Sequence, residues 1–292
     1  MDMQKALHLY LEEEKKNPKF LGSRYAVFEK YDGWYFYADW NYGEFQGIFT
    51  SAGRRVHSMA LYETSLRDEA VVPTKGRWRI IFEGTIPDLV FSELNGQFNQ
   101  RQKHLTNVIF KCHDLVNRDD LSVPFLQRYA NLKAVIDKNC HLRYLELAPI
   151  LAITHNVTEW YSIYEEIIAD PRREGVILKH TLAPYAAGKR NYTLMKIKCE
   201  LTLDLLVIDV APGKRGSKYE NTLGYLVVQG KDKKKHQISG MTDAQRTEWI
   251  LDPSKIVGKV VEVVAMKKLE NGSLREPRFK AIRYDKTEKD TD

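Results

Sequence analysis

Lys30 ends an apolar run, within Lys30-Tyr31-Asp32-Gly33. A lysine amine is a nucleophile only when neutral, so that role requires burial or neighbouring cations to lower its proton affinity. The glycine three residues on lets the backbone turn closely around a ligand. A second stretch, Glu174-Gly175-Val176-Ile177-Leu178-Lys179, brings an acidic residue to the start of an apolar strand, where its carboxylate could bind Mg²⁺. In a third, Leu194-Met195-Lys196-Ile197-Lys198, strand alternation puts both lysines on one face. Two ammonium groups on one face repel unless an anion lies between them, and a phosphate would satisfy both. A fourth, cation-rich stretch runs from Arg275 to Lys286. Taken singly, each has a plain structural alternative: a strand ending in a charged turn, a solvated carboxylate before a strand, an edge strand with lysines, or a basic terminal strand.

The elements that must position these residues fall into two textures. From 201 to 292 the chain has short β-type runs at Leu203–Val210, Leu223–Gln229 and Lys259–Met266, separated by Pro212-Gly213, Gly230 and Asn271-Gly272. One short helix is expected from Thr242 to Leu251. Such a segment fits a small β-barrel of the oligonucleotide-binding type. Residues 1–200 are mixed. Met3–Lys16 and Val123–Lys138 read as helices, as does Thr158–Ile168; Tyr25–Phe28, Gly33–Trp40, Arg77–Phe82 and Val108–Phe110 read as strands. The irregular order of helices and strands makes this part α+β.

Composition bounds the function. The 292 residues are 43% hydrophobic and 29% charged, the balance of a globular chain of about two domains. No apolar run is long enough for a membrane helix, and the start of the chain lacks a signal core, so the expectation is an intracellular, cytoplasmic protein without a membrane partner. Three dispersed cysteines suggest neither a disulfide framework nor a zinc site. The net charge of +6 suits a polyanion partner. Residues 201–292 hold 18 Lys and Arg against 14 Asp and Glu, so most of the excess lies there.

Together and in this order, the four motifs resemble those of ATP-dependent DNA ligases, most closely the minimal two-domain type of phages, viruses and bacteria. The resemblance spans about Tyr25 to Lys286. Phe91-Ser92-Glu93-Leu94-Asn95-Gly96-Gln97 and Gly240-Met241-Thr242-Asp243-Ala244-Gln245-Arg246 add to it. It implies an ATP-grasp-like nucleotidyltransferase domain over 1–200 and an OB-fold over 201–292. By the same resemblance, Lys30 attacks the α-phosphate of ATP, forming lysyl-AMP. The AMP passes to the 5′-phosphate of a nick, and the 3′-hydroxyl then expels it. Lys196 and Lys198 match the α-phosphate lysines. Glu174 matches the carboxylate associated with a divalent metal, which the resemblance implies is Mg²⁺. Arg283 and Lys286 match barrel residues that close over ATP and orient pyrophosphate. Asp32 and Gly33 complete the nucleotide motif. The implied partner is nicked duplex DNA, and the implied state a monomer.

Several positions depart from the pattern. Tyr35 stands where the family has arginine, and Thr50-Ser51 where it has Ser/Thr-Arg. Arg54 or Arg55 is the expected substitute there, as a DNA contact. Glu83-Gly84-Thr85 replaces Asp-Gly-Glu, with Glu83 the candidate second carboxylate for the metal. His113 occupies the place of the aromatic that stacks on adenine. Neither a long barrel insertion nor a separate N-terminal domain fits the sequence. DNA grip is therefore expected from Lys214, Arg215 and Lys218 in one basic loop and from Lys233 and Lys234 in another. An RNA ligase or capping guanylyltransferase using the same lysine chemistry is the nearest rival. A non-catalytic nucleic-acid-binding protein is a third reading, kept open by Ser51 and Thr85.

Overall fold

A computed structural model describes residues 1–9, 22–87, 89, 97–98, 104–170, 172–198, 200–269 and 271–292. Of the stretches noted above, 10–16 of the expected first helix, 91–96 and Cys199 lie outside them. The chain divides into two compact units, Met1–Lys198 and Cys199–Asp292.

The first unit holds two five-stranded sheets. One has the order β1-β10-β9-β2-β8, formed by β1 (Lys5–His8), β10 (Arg190–Lys198), β9 (Gly175–His180), β2 (Tyr25–Glu29) and β8 (Ala152–Thr154). The other has the order β4-β3-β5-β6-β7, formed by β4 (Glu44–Thr50), β3 (Trp34–Asn41), β5 (Arg77–Thr85), β6 (Ile109–Asn117) and β7 (Leu145–Leu147). Helices α1 (Ala60–Glu69), α2 (Phe125–Lys138) and α3 (Val157–Ile168) pack on the sheets. Trp160 and Ile167 of α3 bury against Tyr25, Val27, Val176 and Leu178. The nearly unbroken apolar content of β2 and β9 follows from this, because both faces of the strands are covered. Asn156 caps α3 by accepting from the Thr158 amide.

The start of the chain departs from the helical expectation. Lys5–His8 is a strand, paired parallel to β10. The amide of Leu9 donates to the Lys196 carbonyl at 2.9 Å. Leu7 and Leu9 both join the core beneath α3, and their spacing of two is a strand spacing. The open edge of β10 offers backbone partners that outweigh even the high helix propensity of Ala, Leu and Lys.

The second unit is one sheet of order β13-β12-β11-β14-β17, with an added two-stranded ribbon, β15-β16. The strands are β11 (Leu201–Pro212), β12 (Leu223–Gln229), β13 (Lys235–Ile238), β14 (Val260–Ala265), β15 (Lys267–Lys268), β16 (Leu274–Arg275) and β17 (Arg278–Ile282). Helix α4 (Asp243–Leu251) begins with a capping box between Thr242 and Gln245 and buries Trp249 in the barrel core. The first unit is thus of mixed α and β structure, and the second is β-rich with a single α-helix among its described residues. Among the described residues, no helix is long and apolar enough to cross a membrane.

Candidate active site

The two sheets of the first unit bring residues of the first three sequence motifs to one cavity of about 610 Å³. Lys30, Glu83, His113, Lys179 and Lys196 line it, together with Tyr35 and the first residues of the chain, Asp2 to Ala6. Lys30 follows β2, and its amide donates to the Gly175 carbonyl at 2.8 Å. This bond fixes the end of β2 against the start of β9, and so brings the Lys30 ammonium onto Glu174 as an ion pair. The side chains of this pair retain 19% and 10% exposure, so it is largely withdrawn from bulk water.

Two glycines make the approach feasible. At Gly175 (φ +145°), a Cβ would lie 2.2 Å from the Ile197 carbonyl oxygen of β10. At Gly33, a Cβ would lie 2.7 Å from the Gly84 carbonyl oxygen. Both positions demand the absence of a side chain.

Lys196 and Lys198 face Ile177 and Gly175 across the β9–β10 ladder. Burial, then the ammonium groups of Lys198 and Lys30, hold the Lys196 amine below its usual range, and Glu174 partly opposes them. Glu83 is pushed up to about 8, chiefly by burial; Lys30 works against this, while Glu174 and Asp32 add to it. The three carboxylates therefore share one electrostatic neighbourhood. Among the described residues, no cluster of three or more His, Cys, Asp or Glu holds a metal by itself. A cation such as Mg²⁺ commonly takes only one or two carboxylates and completes its shell with phosphate and water, so this donor set fits one.

His113 lies in the cavity wall, with its ring parallel to that of Tyr35 (interplanar angle 7°, centroids 5.6 Å apart). Lys179, the last residue of the Glu174 motif, proves to be a cavity residue that the sequence reading left unassigned. It is 6% exposed and bonded to His113. A lysine in an otherwise apolar strand was the available signal.

The remaining candidates lie elsewhere. Arg54 is exposed on the hairpin after β4, whereas both nitrogens of the Arg55 fork are held by Glu63, at 3.1 Å (Nε–Oε1) and 2.7 Å (Nη2–Oε2). Arg55 is thus committed within the fold. In the second unit, Lys214 and Arg215 are exposed, while Lys218 pairs with Asp243 at 2.9 Å. Lys233 approaches Glu288 at 3.7 Å, and Lys234 bonds the Asn271 carbonyl. Arg283 and Lys286 converge on one carboxylate, Asp204, at 3.0 Å and 2.5 Å. Asp204 was not singled out from sequence, although an acidic residue inside the apolar run Leu203–Val210 was the visible sign.

The ATP dependent DNA ligase domain matches residues 81–198, and the DNA ligase OB-like domain matches residues 212–283. The chain belongs to the ATP-dependent DNA ligase family. A probable DNA ligase of Streptomyces avermitilis is 30% identical over 194 residues, covering 63% of this chain and 34% of that protein. A probable DNA ligase of Nocardia farcinica is 33% identical over 126 residues, covering 43% and 21%. The DNA ligase of Nanoarchaeum equitans is 28% identical over 201 residues, covering 58% and 35%. The chain therefore spans about a fifth to a third of the length of these curated relatives. In fold, it is similar to a Lig E DNA ligase described as binding DNA with a minimal scaffold. That similarity has a TM-score of 0.72 at 19% identity and covers 97% of this chain and 99% of the other. The bacteriophage T7 ATP-dependent DNA ligase gives a TM-score of 0.57 at 16% identity, covering 97% and 98%.

Proposed function

We propose that this family member is an ATP-dependent DNA ligase that seals 3′-hydroxyl/5′-phosphate nicks in duplex DNA. The observation that carries the reading is the Lys30–Glu174 pair beside Lys196 in one cavity of the nucleotidyltransferase domain.

In the proposed first step the Lys30 nitrogen attacks the α-phosphorus of ATP. A P–N bond forms and pyrophosphate leaves. The AMP then moves to the 5′-phosphate oxygen of a nick, and the 3′-hydroxyl displaces it to complete the phosphodiester. Charge builds on phosphoryl oxygens in each step, so fixed cations nearby contribute directly. Lys196 and Lys198 are the assigned α-phosphate contacts, with Asp32 and Gly33 beside the nucleophile. Arg283 and Lys286 are assigned to the pyrophosphate leaving group.

Lys30 Nζ donates to the Glu174 carboxylate, a contact that must be released before the amine can attack. A divalent cation drawing on the Glu174 carboxylate, with Glu83 as second ligand, would release the amine and add positive charge beside the phosphates. Magnesium is the assignment that suits oxygen ligands. Tyr35 supplies the ring surface assigned to adenine, and His113 is assigned to the same base from beside that ring. DNA contacts are assigned to Arg54, Lys214, Arg215, Lys218, Lys233 and Lys234, and Arg55 to holding the hairpin that carries Arg54. The working form is proposed to be a cytoplasmic monomer.

The test is incubation with Mg²⁺ and α-labelled ATP or GTP, followed by denaturation. Label from ATP on the protein, lost in Lys30→Ala, is expected, as is sealing of nicked DNA. Label from GTP alone, or sealing only of RNA nicks, would overturn the reading in favour of a capping enzyme or RNA ligase. No label at all would favour a binding protein.

A further inference from the structure

One buried polar network in the cavity wall has no part in the proposed phosphoryl transfers. It begins with a bulge in β6. Asp114 pairs with Ile81 and Cys112 with Phe82, so His113 is an extra residue without a partner in the ladder. Phe110 and Cys112 before the bulge, and Leu115 after it, belong to the same core. The alternation has slipped by one, and both His113 and Asp114 leave that core together.

Lys179 of β9 meets both. Its Nζ lies 2.9 Å from His113 Nδ1, 2.9 Å from the His113 carbonyl oxygen and 3.6 Å from Asp114 Oδ2. Three ammonium hydrogens thus face three acceptors. Asp114 is separately held by Arg128, at 2.8 Å (Nε–Oδ1) and 3.1 Å (Nη2–Oδ2). Asp114, Arg128 and Lys179 are all nearly inaccessible.

An ammonium group donates and cannot accept. Against a charged Lys179, His113 Nδ1 must therefore carry a lone pair, and the ring proton must sit on Nε2. Nε2 has no partner among the described residues and is not sealed from solvent, and the space that His113 faces is the cavity.

We propose that Lys179 is a positioning residue that locks His113 as its Nε2–H tautomer. The cavity then offers the nucleotide base an imidazole N–H donor beside the Tyr35 ring. The expected acceptor is a ring nitrogen of the purine. This rests on the reading of the cavity as a nucleotide site.

The charge balance agrees. Burial, then Lys179, hold the His113 imidazole well below its usual range, so it stays neutral. Lys179 itself is lowered to about 8, chiefly by burial, which leaves it mostly charged at neutral pH. The groups facing this pair are Tyr35 from β3, Glu83 from β5, Asp114 from β6 and Arg128 from α2. Of the charges acting on the ring, Asp114 alone favours the imidazolium.

The test is ¹⁵N NMR of the imidazole nitrogens in the whole protein, with His113 assigned through His113→Phe. The wild type should show a single neutral Nε2–H ring at neutral pH. Added ATP should shift the Nε2 resonance. In Lys179→Met, the ring should become a mixture of tautomers and gain its proton at a higher pH than in the wild type, because the Lys179 charge no longer opposes it. Lys30 adenylylation in that variant should then acquire an acid-side fall of about tenfold per pH unit. The double variant His113→Phe/Lys179→Met should lack that fall.

An Nδ1–H ring in the wild type, or a tautomer unchanged in Lys179→Met, would overturn the lock. An Nε2 resonance indifferent to ATP, while Lys30 is labelled, would overturn the base contact. Absence of Lys30 labelling in the wild type would instead overturn the proposed function, and the tautomer measurement would still decide the lock. If Lys179→Met does not fold, the wild-type spectrum decides it alone.

Discussion

Glu83 binds its proton up to about pH 8 in the folded protein, against an ordinary carboxyl value of 4.5. Between those values the folded chain holds a proton that the unfolded chain has released. Stability must therefore fall as pH rises through that window, by at most about 1.4 kcal/mol per pH unit from this group. Glu83→Gln should flatten that slope, measured by urea unfolding at several pH values between about 5 and 8. An unchanged slope would mean that the carboxyl ionises freely. Lys179 behaves oppositely. Its amine is lowered to about 8, so the unfolded chain binds the proton more tightly above that value, and stability from this group should rise with pH from about 8 to 10.5. In the second unit, Arg283 and Lys286 share Asp204. Arg283→Ala should slow adenylylation of Lys30 by about a hundredfold or more, the scale of losing one charge-stabilising donor, while largely sparing the sealing of a pre-adenylylated nick. Equal loss in both assays would refute the pyrophosphate assignment. At this scale, Lys30, Glu174, Lys196 and Lys198 were legible in the sequence because short motifs carry them. Lys179 and Asp204 were not, because their significance lies in partners 66 and 79 residues away.

The elements were legible where local pattern and tertiary demand agree. Leu223–Gln229 is read from sequence as the strand the structure shows, an apolar run bounded by turn residues. Helix α2 begins two residues later than expected, at Phe125, because Pro124 provides its extended N-cap. Strand β4 and helix α1 were missed. Glu44–Thr50 carries a glycine within it, and α1 is only weakly amphipathic, leaving little periodicity to read. The first strand was misread because its pairing partner, β10, lies more than 180 residues along the chain. The junction of β9 and β10 supplies a sharp test. Gly175→Ala puts a methyl 2.2 Å from the Ile197 carbonyl oxygen at a positive φ. It should destabilise the first unit by about 3 kcal/mol or more, read as a lowered urea midpoint. It should also move Glu174 off Lys30, so adenylylation should fall even at temperatures where the variant remains folded.

For the whole molecule, charge sets the expected behaviour with DNA. The net +6 divides evenly between the units, so the smaller second unit, where 18 cations face 15 anions, carries about twice the charge per residue, but Lys218 and Lys233 are partly committed to Asp243 and Glu288. If four phosphates are neutralised by the exposed cations that remain, nick affinity should drop by about a hundredfold between roughly 50 and 200 mM salt. A filter-binding or anisotropy titration insensitive to salt in that range would remove backbone neutralisation as the source of grip. The pairing of β1 with β10 bears on how the protein is made. Residues 5–8 leave the ribosome long before their strand partner, residues 190–198, which emerges only when the first unit is almost complete. The wall of the cavity formed by Asp2 to Ala6 has nothing to dock on until then, so the adenylylation centre should mature at the end of that unit's synthesis rather than progressively. Nascent chains halted before Arg190 should leave residues 1–9 open to protease, and chains extended well past Lys198 should protect them.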